Sequence, residues 1–293
     1  MQAIGGQAVI EGVMFKSRKG WTVAVRDQKG DIQVKREPLK TRKIEKIPLV
    51  RGFFILFHTL ILGIKALEYS AKVAGEEDKP ITPLTLGLTL AFSFVLAIGI
   101  FLFLPLYMTK LLGLLVPSVS ASSILFNLVD GVIRVLLFLV YVWAIGLWKE
   151  MGRIFEYHGA EHKVIHALEA GDLSAERIRK ESPRHPRCGT SFLLIVMAIS
   201  ILVFSFIPQA WPFWAKFLSR VVLIPLIAGL SYETLRGSAR LEKKYSLMKF
   251  IVFPGLALQR LTTREPDERQ LEVALKALNE LLALEDVNDE PAR

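Results

Sequence analysis

The sequence predicts an all-α polytopic membrane protein of about four transmembrane helices, carrying a small N-terminal β-containing cytoplasmic domain. Three observations lead there. No charged residue occurs from Pro80 to Thr109 or from Gly189 to Ala215, and a hydrocarbon core of about 30 Å asks for roughly 20 mainly apolar residues in a helix. Hydrophobic residues are 52% of the 293, only slightly above the roughly 45–50% of soluble domains, so distribution rather than total carries the argument. The first 51 residues, by contrast, hold 12 Lys/Arg against 5 Asp/Glu and contain short β-prone runs.

Within residues 1–51, Trp21–Val25 and Asp31–Val34 read as strands, with Gln28-Lys-Gly30 turning between them. Residues 52–79 hold a Phe-rich apolar run, Gly52 to Ile64, between Arg51 and Lys65. It is too short to span, so an interfacial or re-entrant helix is expected. Residues 80–148 supply the first two spans, about Leu84–Leu106 and Ile124–Trp148. Residues 149–189 form a loop rich in histidine, with the single cysteine at its end. Residues 190–235 supply the third span, which ends near Pro208, and a weaker fourth, about Phe217–Leu235. Trp143, Trp148, Trp211 and Trp214 lie near the ends of these spans, at the depth amphipathic indoles prefer.

Residues 236–293 begin with a basic stretch. Asp267-Glu-Arg-Gln270 then looks like a capping box, and Leu271, Leu275, Leu278 and Leu282 follow at helical spacing, a stripe that should pack on something. The 149–189 loop carries eight Lys/Arg, whereas the two other short loops have only Lys110 and Lys216. The positive-inside rule then places the protein in the cell inner membrane as a multi-pass chain, with that loop and both termini cytoplasmic. The start of the chain lacks a basic and then apolar signal segment. One cysteine excludes an internal disulfide.

The chemistry gathers between residues 158 and 188. Four of the five histidines (His158, His162, His166 and His185) and Cys188 lie there. A helix should cover Tyr157–Lys163 and end near Gly171. His158 and His162, four residues apart, project from one face with Glu161 beside them, and His166 extends that face by a turn. His158-x-x-Glu161-His162 is the H-x-x-E-H spacing in which two imidazoles hold zinc and the carboxylate activates water. His185 and Cys188 are the nearby candidates for a third ligand, and Glu233 is a distant one. The bland reading keeps these as solvated helical side chains. Pro183 and Pro186 stiffen the approach to the third span, and Thr190 or Ser191 should cap it. The helix start and the flanking Arg184 and Arg187 are expected to lower the Cys188 thiol pKa; the same arginines also suit lipid phosphate. Inside the spans, Asp130 and Arg134 are four apart and should pair, and Glu233 has Arg236 nearby. The sequence leaves open whether these three serve function or structure.

Several blocks together resemble one family: Gly5-Gly-Gln-Ala-Val-Ile-Glu-Gly-Val-Met14, Tyr157-His-Gly-Ala-Glu-His-Lys163, His185-Pro-Arg-Cys-Gly-Thr-Ser-Phe192, and Pro254-Gly-Leu-Ala-Leu-Gln-Arg-Leu-Thr-Thr-Arg-Glu-Pro-Asp267. They are similar to the YqhQ-like family of bacterial membrane proteins, a domain-of-unknown-function group. The resemblance implies a predicted metal-dependent enzyme, a label that rests on histidine motifs of the same kind.

Two functions are therefore expected from the sequence. The first is a divalent metal site, zinc for preference, at the cytoplasmic membrane surface, supporting a metal-dependent hydrolase. Its ligands would come from His158, His162, His185 and Cys188, with Glu161 as catalytic base. The second is a non-catalytic accessory or scaffold protein for membrane-protein insertion, contacting ribosome, translocon or anionic lipid through its basic face. Membrane lipid is an expected partner in either case, and a second copy of the chain is admitted. Sequence-specific nucleic acid is not expected, because no RNA-binding signature accompanies the basic residues.

Overall fold

The computed structural model describes residues 4–39, 50–75, 82–186, 188–208, 210–241 and 248–287. Four strands, β1 (Gly5–Val9), β2 (Gly12–Lys16), β3 (Gly20–Arg26) and β4 (Ile32–Pro38), form an antiparallel meander in chain order. The expected hairpin is the β3–β4 pair. Its turn is held by Asp27, whose Oδ1 accepts from the amides of Lys29 and Asp31. The β1–β2 hairpin was not anticipated. Val9 faces Gly12 across a two-residue loop, Ile10-Glu11, and Glu11 takes a left-handed φ of 49°, a conformation uncommon outside glycine.

Both faces of this sheet are covered. On one lie α6 (Lys149–Ala170) and α12 (Glu268–Val287), whose Tyr157, Val164, Ala274, Leu278 and Leu281 form a buried core with Val13, Phe15 and Ala24. The Leu271–Leu282 stripe therefore packs as its spacing suggested: Leu271 and Leu278 are buried in that core, with Leu275 and Leu282 against it. Thr22 pins the layers by donating its hydroxyl to the Ala277 carbonyl, 2.8 Å away. On the other face, Leu62 and Ala66 of α1 (Val50–Ala74) pack on Val9, Met14, Trp21, Val23 and Val25. The apolar run Gly52–Ile64 is thus the first half of one unbroken helix.

Two helix ends follow their sequence signals. Asp267 Oδ1 accepts from the Gln270 amide, and Gln270 Oε1 from the Asp267 amide, each at 2.8 Å. This is the reciprocal capping box at the start of α12. At the end of α6, Gly171 adopts φ 77°. The Asp172 amide reaches back to the Ala167 carbonyl and that of Gly171 to Leu168, a complete Schellman stop.

The remaining helices form an apolar bundle. α2 (Pro83–Ile98) runs through a π-helical turn, Gly99–Phe103, into α3 (Leu104–Leu115). A short α4 (Pro117–Ala121) leads to α5 (Ser123–Ile145). After α6 and the short α7 (Ala175–Lys180) come α8 (Gly189–Ser205), α9 (Phe213–Val222), α10 (Ile224–Leu241) and α11 (Met248–Thr262). Among the described residues, Arg51–Ala74, Leu84–Leu115 and Ser123–Ile145 are long and apolar enough to cross a membrane. The α9–α10 pair, bent by 47°, qualifies if taken as one span, and Phe192–Ser205 is a shorter apolar helix. Leu84, Leu88, Phe92, Phe94 and Val95 of α2 are exposed, more contiguous apolar surface than water-soluble proteins show.

The bundle buries its charges together. Asp130 accepts from Arg134, as its spacing predicted, and equally from Arg220 of α9 at 2.6 Å. Arg134 also donates to Ser200 of α8, Arg220 to Asn127, and both guanidiniums lie over the Phe204 ring. Arg220 joins from another helix, which no local spacing could indicate. Glu233 accepts two hydrogen bonds from Arg51 of α1, at 2.7 and 2.5 Å. Its anticipated pairing with Arg236 involves a side chain outside those described.

Candidate metal centre

The helix α6 is fixed before its histidines are placed. Glu11, at the tip of the β1–β2 hairpin, accepts from both Nε and Nη2 of Arg153 and from the Tyr157 hydroxyl. This fork locks the register of α6 on the sheet. Gly159 lets the next segment cross closely: a Cβ there would lie 2.0 Å from the Arg264 carbonyl oxygen. Arg264 in turn donates its amide to Phe155 O and its guanidinium to Gly146 O.

Against this frame the two central imidazoles are oriented by main-chain carbonyls. His158 Nδ1 lies 2.8 Å from Thr262 O, and His162 Nδ1 lies 2.7 Å from Pro183 O. A carbonyl can only accept, so each Nδ1 carries a hydrogen, and in the neutral ring the lone pair is left on Nε2. His158 Nε2 lies 3.3 Å from Cys188 Sγ. His162 Nε2 is buried without a hydrogen-bond partner among the described residues. The two rings are 4.4 Å apart between centroids. His158, His162 and Cys188 each offer one ligand atom, all within 4.8 Å of one another.

Cys188 reaches this point from the start of α8. It is itself the N-cap, in place of the expected Thr190 or Ser191, and its Sγ accepts from both the amide and the hydroxyl of Thr190. Its thiol pKa lies above the ordinary value, because burial outweighs the Thr190 hydrogen bonds. This reverses the lowering expected from neighbouring arginines: Arg184 is exposed and Arg187 lies outside the described residues. Burial likewise pushes His162 down to about 2, with His158 adding to the effect. Glu161 is pushed up to about 8 by burial, against the lowering pull of His158. Its carboxyl occupies space left by Gly6 of β1, where a Cβ would stand 2.5 Å from Oε1, and its Oε2 has no partner among the described residues.

His185 belongs to a second group. It lies with His166 and Glu169, Nε2 of His185 being 3.4 Å from Glu169 Oε1 and its ring 4.4 Å from that of His166. The ring of His162 is 5.9 Å from it. Its main chain is gripped by Gln259 of α11, whose side-chain amide accepts from His185 N and donates to His185 O. Gln259 is fully buried. Sequence reasoning passed over it, along with the carbonyls of Thr262 and Pro183. The one available signal was their place inside, or beside, the blocks that carry the family resemblance. Glu233 takes no part in either group, being held by Arg51.

The donor set suits a borderline metal. Two neutral imidazoles and one thiolate are the softer ligands that hold zinc and its neighbours, so Cys188 would bind with loss of its thiol proton, and three such ligands leave a tetrahedral position open. The carbonyls behind each imidazole and the two Thr190 donors behind the sulfur are the outer contacts such a centre requires.

Comparison with known proteins agrees with the blocks. The family described as "Protein of unknown function (DUF1385)" matches residues 47–284. The chain is 32% identical over 307 residues to "Uncharacterized protein YqhQ" of Bacillus subtilis (strain 168), covering 98% of this chain and 95% of that protein. No solved structure matches. The chain belongs to this YqhQ-like family.

Proposed function

We propose that His158, His162 and Cys188 bind one divalent metal ion, zinc by the nature of the donors, with Glu161 as the acid–base group beside it. One observation carries this reading. His162 Nε2 is a buried lone pair with no hydrogen-bond partner among the described residues, turned toward a thiol and a second lone pair. An unpaired buried polar atom costs roughly 1–3 kcal/mol, and an ion at that point removes the cost. When bound, the ion supplies Lewis acidity toward water or a substrate oxygen. The buried carboxyl of Glu161 takes or returns the accompanying proton, which gives the site the parts of a hydrolase.

The chain's path supports placing this centre at a membrane surface. The sheet touches α6, and α6 touches α12, so all three share one side of a bilayer. The chain must then cross an even number of times between the sheet and α6. Of the three long apolar helices, α1 packs on the sheet itself through Leu62 and Ala66. It stays on that side, leaving α2–α3 and α5 as the crossings. By the same parity, α8 and the bent α9–α10 pair form the second two. Four spans result, with both described ends on the basic side, the cytoplasm by the positive-inside rule.

The accessory-protein reading draws less from the described surface. Arg26, Arg36, Arg177, Arg179 and Lys180 are each engaged by a carboxylate, which reduces the free positive charge offered to an anionic partner. Metal analysis of protein purified from membranes without chelator tests the metal reading. About one equivalent per chain is expected, and under about a tenth would end it.

A further inference from the structure

The metal-ligating side chains of α6 do not end with His162. One turn further on, His166 and Glu169 are three positions apart and share one side of the helix, and His185, from the segment between α7 and α8, meets them there. Each of the three offers one ligand atom, and these atoms all lie within 4.8 Å of one another. From ring to ring, His158, His162, His185 and His166 follow at 4.4, 5.9 and 4.4 Å. The longer middle step divides four imidazoles into two pairs, one completed by Cys188 and the other by Glu169.

Separate parts of the fold position these donors. The main chain of His185 is clamped by the buried Gln259 of α11, at 2.8 and 2.9 Å. His166 is oriented by the Arg184 carbonyl, 3.0 Å from its Nε2, the kind of outer contact that fixes a ligating ring. Glu169 Oε1 already stands 3.4 Å from His185 Nε2. Two imidazoles with one carboxylate hold zinc in some hydrolases and, arranged facially, iron(II). A divalent ion draws one lone pair from each neutral ring and is balanced by the carboxylate charge, so no donor has to gain a proton.

We infer that His166, Glu169 and His185 bind a second divalent transition-metal ion, zinc or a neighbour, beside the buried centre. This site shares no ligand with the His158–His162–Cys188 point and does not depend on it. Glu169 is exposed, whereas His162 and Cys188 are buried, so water reaches the second ion and it exchanges more readily. The equivalent retained through purification is that of the buried centre, and the second is taken up when metal is present in the buffer.

The full chain in detergent, stripped with chelator and dialysed against zinc, provides the test. Two equivalents per chain are expected at saturation, one tight and one weaker. Glu169→Gln, a change of similar size at an exposed position, should weaken the second equivalent at least about tenfold and leave the first. Cys188→Ser should do the reverse. With cobalt(II) in place of zinc, sulfur-to-metal charge-transfer absorption should belong to the tight equivalent alone. Absence of that band, while Glu169→Gln still removes one equivalent, supports this site and ends the Cys188 centre instead. Saturation at one equivalent, or a second equivalent that Glu169→Gln leaves unchanged, overturns the assignment.

Discussion

The sheet-centred body and the helical bundle both bury polar groups, but they complete them differently. In the bundle, both Asp130 oxygens are used by guanidiniums, and Arg134 and Arg220 each gain a second polar partner and a ring face. Among the described residues, the Nε of each arginine has no hydrogen-bond partner. The cluster answers itself, as a structural ion network does. In the sheet body, each imidazole is anchored on one side by a main-chain carbonyl, and the other side converges with Cys188. There His158 Nε2 lies 3.3 Å from Cys188 Sγ, and His162 Nε2 has no hydrogen-bond partner among the described residues. Buried charge alone therefore does not mark function; the proposal for the His158–His162–Cys188 cluster rests instead on three potential ligand atoms within 4.8 Å of one another.

Mutations can break this contrast from either end. The largest effect is expected from Asp130→Ala, which leaves two buried guanidiniums without their carboxylate. Breaking a buried pair this way costs about 3–5 kcal/mol, so accumulation of the protein in membranes should fall sharply. Cys188→Ser should do the opposite: it removes the sulfur ligand but keeps a polar cap on α8. Metal content should drop at least about tenfold, the size of effect seen even for outer contacts, while the melting temperature without metal stays close to the parent's.

Smaller effects separate frame from site. Gly159→Ala drives a Cβ against the Arg264 carbonyl, an overpacking that costs about 1–3 kcal/mol and should appear as a lower denaturation midpoint. Gln259→Ala strands the buried His185 amide, at about 1–3 kcal/mol. It should disturb His185 more than the His158–His162–Cys188 point, so metal stoichiometry should hold. The smallest change is expected from Glu11→Gln. The Arg153–Glu11 fork is partly exposed, 43% and 27% at the side chains, so about 1 kcal/mol of stability is at stake once solvent screening is counted.

How much of this was legible depended on distance along the chain. The Asp267–Gln270 capping box, the Gly171 stop, the β3–β4 turn and the leucine stripe of α12 are local patterns, and the residues that make them lie within a few positions of each other. The His158–His162 pair was readable for the same reason. The β1–β2 hairpin was missed because its loop, Ile10-Glu11, has neither Gly nor Asn, and the left-handed Glu11 is held instead by Arg26 N and by Arg153, 142 positions away. Arg220 in the Asp130 network and Gln259 behind His185 are contacts across 90 and 74 positions. Spacing could not reveal them, nor could it show that burial raises the Cys188 thiol rather than lowering it.

X-ray absorption of the zinc-loaded full chain tests the His158–His162–Cys188 cluster most directly, because it reads which atoms meet at the point. One sulfur at about 2.3 Å and two nitrogens at about 2.0–2.1 Å are expected, with the sulfur shell lost in Cys188→Ser. A shell of nitrogen and oxygen alone in the unmodified protein, unchanged by that substitution, would contradict it.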